Sequence, residues 1–179
     1  MTRGREPVNI KPIPTTYQGC RFRSRIEARW AVFFDALDVK WQYEPQGFEL
    51  DGELYLPDFF LPGWRAWVEI KGAPPSEREL DLCRKLWAGR RSARENVFLI
   101  SGQPWLNEYE VFVAMPDGCA PGFTFAEYGE TLFLASDWED IRLRGPLEEV
   151  SGRAAIDGPI IEAAYVRARS ARFEHGEKP

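Results

Sequence analysis

The sequence has few of the residues on which several common kinds of site depend. Its 179 residues include one histidine, His175, and three cysteines, Cys20, Cys83 and Cys119. The cysteines are far apart and form no CxxC pair, so neither a zinc knuckle nor a disulfide framework is indicated. We expect them to be buried or idle thiols. A single histidine also excludes any catalytic chemistry that requires two.

Long hydrophobic runs are lacking as well. No apolar stretch of the sequence approaches the ~18–20 residues of a membrane span, and residues 1–16 contain no hydrophobic segment of the signal-peptide type. We therefore expect a cytoplasmic protein with no membrane partner. Hydrophobic residues make up 44% of the chain and aromatic residues 14%, which is enough for one well-packed core.

The charge is unevenly distributed along the chain. Residues 1–102 carry 16 Lys and Arg against 14 Asp and Glu, which is +2, whereas residues 103–179 carry 7 against 14, which is −7. The net charge of −5 does not favour nucleic-acid binding by the whole surface. The first part is better suited to it, and the acidic second part is expected to face solvent or a partner.

Hydrophobic periodicity and turn residues predict a mixed α/β (α+β) fold. Helices are predicted at 24–38, from residue 76 to about residue 89, and at 160–173. Strands are predicted on both sides of Pro62-Gly63 and at 41–44, 48–50, 97–101, 109–115, 123–128, 131–135 and 138–143. The last four strands either extend the main sheet or form a small β appendage.

The stretch Tyr55–Lys71 carries the most informative pattern. It is predicted to be a hairpin, because two strand-like runs flank the turn signal Pro62-Gly63. Side chains alternate across a strand, so Trp67, Glu69 and Lys71 share one face, opposite a core face of Ala66, Val68 and Ile70. Asp58 lies on the preceding strand. The hairpin is therefore expected to place two carboxylates and a lysine together.

This combination of side chains suits metal-assisted cleavage of a phosphodiester. Asp58 and Glu69 supply hard oxygen ligands of the kind that Mg²⁺ or Mn²⁺ prefers, and such ions retain waters and substrate oxygens. A bound metal lowers the pKa of its water and offsets developing negative charge. Lys71 is suited to orient that water and to stabilise the same charge.

The order Pro57-Asp58, ten residues, then Glu69-Ile70-Lys71 resembles the signature of the PD-(D/E)xK nuclease superfamily. The predicted order of helix, three-strand meander, helix and strand over about residues 17–102 is similar to the core of that family. The resemblance implies a restriction-endonuclease-like core, in which a mixed sheet is flanked by helices. It also implies that Asp58, Glu69 and the backbone carbonyl of Ile70 bind the metal.

On this basis the chain is divided into four parts. Residues 1–16 are expected to be a flexible, basic and proline-rich arm, and residues 17–102 the nuclease core. A β-rich extension is expected at 103–150, and a linker followed by a C-terminal helix and tail at 151–179.

Glu27 has two interpretations. Ser24 followed by Glu27 is a capping-box pattern, which by itself explains the glutamate. The run Phe22–Trp30 also resembles the helix that precedes the catalytic sheet in transposon-end-cutting nucleases and phage junction resolvases, where such a glutamate belongs to the metal site. We favour this second role. The buried stripe of the helix is predicted to contain Ile26, Trp30, Phe33, Phe34 and Leu37.

Four arginines surround the start of this helix: Arg21, Arg23, Arg25 and Arg29. Such residues need no explanation on a solvated face. Next to a metal site they are also suited to bind phosphates, which dominate nucleic-acid affinity. We assign them as candidate DNA contacts.

The leading hypothesis is a Mg²⁺-dependent DNA endonuclease, with Mn²⁺ able to replace Mg²⁺, whose catalytic residues are Glu27, Asp58, Glu69 and Lys71. The compact composition resembles small nucleases of phages and mobile elements. Two alternatives remain open: a nuclease-fold protein that binds or assembles on nucleic acid with weak or no cleavage, and a protein in which Glu69 and Lys71 form only a surface ion pair. A homodimer or a partner protein, bound through the acidic second part, is a further expectation.

Overall fold

A computed structural model describes residues 13–128, 130–136, 140–144 and 155–173 of the chain. The helices within these ranges are α1 (Arg25–Ala36), α2 (Glu77–Arg90) and α3 (Pro159–Ser170). The strands are β1 (Thr15–Tyr17), β2 (Cys20–Phe22), β3 (Gln42–Tyr43), β4 (Phe48–Leu50), β5 (Glu53–Tyr55), β6 (Phe59–Leu61), β7 (Ala66–Lys71), β8 (Asn96–Gly102), β9 (Tyr109–Met115), β10 (Gly118–Tyr128), β11 (Thr131–Ala135) and β12 (Asp140–Arg144). The predicted mixture of helices and strands is confirmed.

Eight of the strands form one mixed sheet in the order β12-β11-β10-β9-β8-β7-β6-β3. Strands β7 and β8 are parallel, with Lys71 opposite Ser101, and the other neighbouring strands are antiparallel. Parallel strands need a crossover connection, and α2 supplies it here. The hairpins β1–β2 and β4–β5 pair outside this sheet.

Helices cover both faces of the sheet. The larger core lies on the side of α1 and α3 and includes Phe34, Val68 and Ile161. The smaller core lies on the side of α2 and includes Trp67 and Cys83. Neighbouring residues of β7 thus contribute to opposite cores, as the predicted alternation requires.

Helix α1 begins where the capping pattern predicts. The Ser24 hydroxyl accepts the Glu27 backbone N–H at 3.3 Å, which satisfies one of the free donors at the helix start. Phe33 is fully buried and stacks on Tyr165 of α3, with ring centroids 5.3 Å apart. Ala28 is also fully buried, and its small side chain lets the helix lie close to its neighbours.

The hairpin β6–β7 turns through a short 3-10 segment, Pro62–Trp64, and Arg65 then adopts the left-handed conformation with φ of 50°. The strands pair with Phe59 opposite Val68. The ladder ends there, and continuing its register by one residue places Asp58 opposite Glu69. The hairpin therefore brings together the two carboxylates of the predicted site.

The strands after residue 102 extend the main sheet, which decides between the two arrangements left open by the sequence. Strand β9 pairs with β8, β10 with β9 and β11 with β10. The pairing is continuous from the predicted core into the predicted β-rich extension.

Helix α3 is joined to this extension by a buried carboxylate. Glu127 of β10 is only 4% exposed, and its two oxygens accept the backbone N–H groups of Ile160 at 3.2 Å and Ile161 at 2.7 Å. Gly158, which precedes the helix, lies so close to Glu127 that a Cβ on it would be 2.3 Å from the Glu127 carboxyl group. Glu127 thus serves as an acceptor for the start of α3.

Other boundaries differ from the predicted ones. Thr15 and Thr16, expected to end a flexible arm, lie in β1 and pair with β2. The turn between these strands uses Gln18 and Gly19, whose φ angles of 47° and 77° match the twist of a tight hairpin. Residues 1–12 of the predicted arm and residues 151–154 of the predicted linker lie outside the described residues.

Two further observations concern helix length and the cysteines. No helix in the described ranges is long and apolar enough to cross a membrane. All three cysteines are free, with Cys83 buried between α2 and the sheet.

Candidate metal-binding and catalytic site

Asp58 lies at the point where β6 and β7 separate. It is 2% exposed, and its Oδ2 accepts the backbone N–H of Ile70 at 2.7 Å. Its Oδ1 accepts a hydrogen bond from Nη2 of Arg23 at 2.6 Å. Oδ2 of Asp58 therefore accepts the β7 N–H that a backbone carbonyl would accept if the β6–β7 ladder continued. Oδ1 faces Arg23, just before the start of α1.

The environment of Asp58 disfavours its charged form. Burial raises its pKa to about 8, and the charges of Glu69 and Glu27 act in the same direction. The Ile70 N–H and the Arg23 guanidinium act in the opposite direction but do not outweigh these effects. A buried carboxylate crowded by two others is a position that a divalent cation would stabilise.

Glu69 and Lys71 form the second part of the site. Glu69 is 7% exposed; its Oε1 lies 2.8 Å from the Lys71 Nζ, and its Oε2 accepts the Tyr55 hydroxyl at 3.3 Å. Lys71 also lies 2.9 Å from Oε1 of Glu79. The predicted contact between Glu69 and Lys71 is present, and Tyr55 and Glu79 are additions that the sequence did not indicate.

The two glutamates keep Lys71 protonated. Burial lowers the pKa of Lys71, but the hydrogen bonds and charges of Glu69 and Glu79 outweigh burial, so the pKa is raised overall. Lys71 is accordingly a hydrogen-bond donor and a positive charge, and in this arrangement it is not a general base.

Glu79 is held in place by the start of α2. Its Oε2 accepts the Ser76 backbone N–H at 2.8 Å and the Ser76 hydroxyl at 2.7 Å, which completes a capping box. One carboxylate thus caps the crossover helix and contacts Lys71. The spacing Ser76-x-x-Glu79 was a usable signal for the cap, but nothing in the sequence connected Glu79 to Lys71.

Glu27 is buried and fully engaged by hydrogen-bond donors. Its Oε1 accepts the Ser24 hydroxyl at 2.5 Å. Its Oε2 accepts the Tyr43 hydroxyl at 2.6 Å and the Arg23 backbone N–H at 3.1 Å. Its charge is one of the causes that raise the Asp58 pKa. The structure therefore places Glu27 near Asp58 with a capping role, and its assignment as a metal ligand stays a prediction.

The four predicted DNA-binding arginines occupy different surroundings. Arg23 forms ion pairs with Asp58 and, through Nε at 2.7 Å, with Glu44. Arg29 is partly buried, donates to Gln103 at 3.3 Å and lies 5.2 Å from the centre of the Trp105 ring. Arg21 is exposed and Arg25 partly buried. Contacts with DNA remain predictions for all four.

The donor set fits a metal that takes few protein ligands. In the part of the chain that the structure describes, no group of three or more His, Cys, Asp and Glu side chains is arranged to hold a metal ion. Mg²⁺ commonly uses one or two carboxylates and keeps several waters. Asp58 and Glu69 meet that requirement. The Ile70 N–H donates to Asp58, and in a strand the carbonyl of a residue faces the same edge as its N–H; metal binding by the Ile70 carbonyl stays a prediction.

Comparison of the chain with protein-family models, with curated proteins and with solved structures found no match.

Proposed function

We propose that this protein is a metal-dependent DNA endonuclease with a restriction-endonuclease-like, PD-(D/E)xK core. Mg²⁺, or Mn²⁺ in its place, would be held by Asp58, Glu69 and the Ile70 carbonyl. One observation carries the proposal. Two buried carboxylates, Asp58 and Glu69, lie opposite each other at the end of the β6–β7 ladder, and Lys71 forms an ion pair with Glu69. Arg23 and Lys71 each contact a second carboxylate as well, so they offset only part of this negative charge, and burying the remainder without a bound cation or a substrate is unfavourable.

The arrangement of elements supports the same proposal. Helix α1 follows the β1–β2 hairpin, the antiparallel strands β3, β6 and β7 are adjacent, and α2 leads to β8 beside β7. This is the element order that the sequence resemblance implied, with the hairpin β4–β5 inserted between β3 and β6. Fold alone does not assign function, so the site residues carry the argument.

The side chains divide the work of phosphodiester hydrolysis. A bound Mg²⁺ would activate the attacking water and offset charge on the phosphate. Protonated Lys71 would orient that water and donate a hydrogen bond to the developing negative charge. Glu79 and Tyr55 would hold Lys71 and Glu69 in position, since each contacts one of them directly. One such site makes one nick, so double-strand cleavage would require a second copy or a partner, for which the acidic residues 103–179 are the proposed surface.

A second candidate function is nucleic-acid binding with weak or no cleavage. Lys71 is neutralised by two carboxylates and Arg23 by two others. A protein without catalytic activity would also contain such ion pairs if they served only to hold β7, α1 and α2 together. Cleavage separates this candidate from the enzyme.

The test is cleavage of supercoiled plasmid and of a synthetic four-way junction with Mg²⁺, Mn²⁺, Ca²⁺ or EDTA. Wild type is compared with Glu69→Ala and Lys71→Ala, and circular dichroism establishes that each variant is folded. We expect nicking that requires Mg²⁺ or Mn²⁺ and that is lost in both folded variants. Lys85→Ala is a matched control, because Lys85 pairs with Asp51 and Asp81 away from Asp58 and Glu69.

No cleavage by folded wild type, combined with no Mn²⁺ binding in calorimetry, would overturn the enzyme proposal. DNA binding in that case would favour the second candidate. Cleavage that persists in Glu69→Ala would show that the nuclease site lies elsewhere.

A further inference from the structure

Arg23 occupies an unusual position for a surface arginine. Its side chain is 56% exposed, yet it contacts Asp58, whose side chain is 3% exposed. The backbone of Arg23 is fixed, because its N–H donates to Glu27 at 3.1 Å and to the Tyr43 hydroxyl at 3.0 Å. The residue therefore combines an anchored main chain with a guanidinium at the surface of the site.

The guanidinium and a metal ion would compete for the same oxygen. Nη2 of Arg23 lies 2.6 Å from Oδ1 of Asp58, whereas a Mg²⁺ ligand must approach the ion to about 2.1 Å. The other oxygen of Asp58 already accepts the Ile70 N–H. Two positive charges at one carboxylate also repel each other. Metal binding at Asp58 would thus weaken its ion pair with Arg23 and favour movement of the guanidinium away from Oδ1.

Glu44 is the carboxylate that would still contact the guanidinium of Arg23 after its release from Asp58. It lies 2.7 Å from Nε of Arg23 and its side chain is 24% exposed, so it is the more accessible of the two carboxylates that contact Arg23. An arginine released from Asp58 but still paired with Glu44 stays at the mouth of the site. Its other nitrogens are then available to a phosphate, for which the planar guanidinium is well suited.

We propose that Arg23 is the exchangeable counter-ion of this site: its guanidinium occupies Oδ1 of Asp58 in the absence of metal and, when displaced by metal, binds a phosphate of the DNA. This inference rests on the proposed function. Metal and DNA then bind cooperatively, because the metal frees the residue that contacts the DNA. A purely structural ion pair would not couple the two ligands.

The first measurement is Mn²⁺ affinity of the full chain by calorimetry. Arg23→Gln removes the competing guanidinium, so we expect it to bind Mn²⁺ about fivefold more tightly than wild type. Arg21→Gln is the matched control, since it removes the same charge from an exposed residue of the neighbouring hairpin. We expect its Mn²⁺ affinity to change by less than about twofold.

The second measurement is the anisotropy of a short labelled DNA duplex with Ca²⁺ or with EDTA, under conditions in which the duplex stays intact. We expect Ca²⁺ to increase the DNA affinity of wild type. The ratio of the affinity with Ca²⁺ to the affinity with EDTA should be about fivefold smaller in Arg23→Gln. Thermal unfolding of both variants shows that they are folded.

The outcomes separate this inference from the proposed function. If wild type binds Mn²⁺ and cleaves DNA, but Arg23→Gln binds Mn²⁺ no more tightly than Arg21→Gln, the counter-ion role is wrong and the nuclease proposal stands. If neither wild type nor Arg23→Gln binds Mn²⁺, both are wrong. Mn²⁺ binding that appears only in Arg23→Gln would support the inference in a protein that does not cleave.

Discussion

In the ranges that the structure describes, buried carboxylates lie at two sites that differ in the partners they use. Glu127 is 4% exposed, and Asp58 and Glu69 are 2% and 7% exposed, so burial does not distinguish them. Glu127 accepts two backbone N–H groups at the start of α3. Asp58 accepts one backbone N–H, from Ile70, but its other oxygen contacts the guanidinium of Arg23, and Glu69 contacts the ammonium of Lys71.

This difference indicates function more clearly than burial does. Backbone donors cannot be exchanged without breaking the helix start, so Glu127 has a fixed structural role. The side chains of Arg23 and Lys71 are 56% and 29% exposed and are able to move aside for a ligand. Two carboxylates opposite each other also repel, and the charge of Glu69 helps to raise the pKa of Asp58.

The largest expected effect is at Asp58. Asp58→Asn keeps an acceptor for the Ile70 N–H but removes the charge, so we expect cleavage to fall at least about 100-fold. The unfolding temperature should stay the same or rise, because a buried charge is lost. Plasmid nicking and thermal unfolding measure the two effects. Glu127→Gln is the control and should retain cleavage; equal losses in both variants would contradict the distinction.

The pH dependence of metal binding tests the same carboxylate. The pKa of Asp58 is raised to about 8 by burial and by neighbouring carboxylates, and a carboxylate must be deprotonated to bind metal. Below that pKa a proton competes with the metal, so Mn²⁺ affinity should rise about tenfold per pH unit between pH 6 and pH 8 and then level off. Calorimetry in buffers of different ionisation enthalpy would also detect the released proton. A flat profile over this range would contradict the prediction.

Glu127 should show the opposite behaviour to Asp58. Glu127→Ala leaves the Ile160 and Ile161 N–H groups without their acceptor, and we expect a loss of about 2–4 kcal/mol in the free energy of unfolding. Cleavage by the molecules that remain folded should be unchanged. Urea denaturation measures the stability. Glu162→Ala, an exposed change in the first turn of α3, should cost less than about 1 kcal/mol.

A smaller effect is expected at Gly158. A Cβ there would lie 2.3 Å from the Glu127 carboxyl group, which the helix start holds in place. Gly158→Ala should therefore destabilise the protein by about 1–2 kcal/mol. Gly63→Ala is the control, because a Cβ at Gly63 meets nothing within 4 Å. Equal unfolding midpoints for the two variants would show that Glu127 relaxes away.

Local signals in the sequence were sufficient for much of the fold. Ser24 and Ser76 do cap α1 and α2, and the hairpin around Pro62-Gly63 forms with the predicted alternation along β7. These features depend on residues within one turn or one strand of each other. The same local alternation placed Glu69 and Lys71 side by side, which accounts for the strongest part of the site prediction.

Contacts between distant elements were not predictable in this way. Tyr43 reaches Glu27 from β3, and Glu79 reaches Lys71 from α2. No spacing rule relates these residues, because their proximity depends on how the helices lie against the sheet. Arg23 was assigned to phosphate binding from its charge and its place near the start of α1, and its contact with Asp58 depends on the same packing.

Because strand β6 begins at Phe59, the hydrogen exchange of one amide, that of Ile70, depends on the Asp58 side chain. Without a partner beyond the end of the β6–β7 ladder at Val68, the Ile70 N–H would exchange with solvent deuterium. It is protected because it donates a hydrogen bond to the Asp58 carboxylate. Its exchange rate therefore follows the position of one carboxylate rather than the opening of the sheet. A ligand that draws Asp58 away should accelerate deuterium uptake at Ile70 alone, while the amides of β8 remain protected. Occupancy of the site would then be visible in a single NMR resonance, without substrate and without turnover.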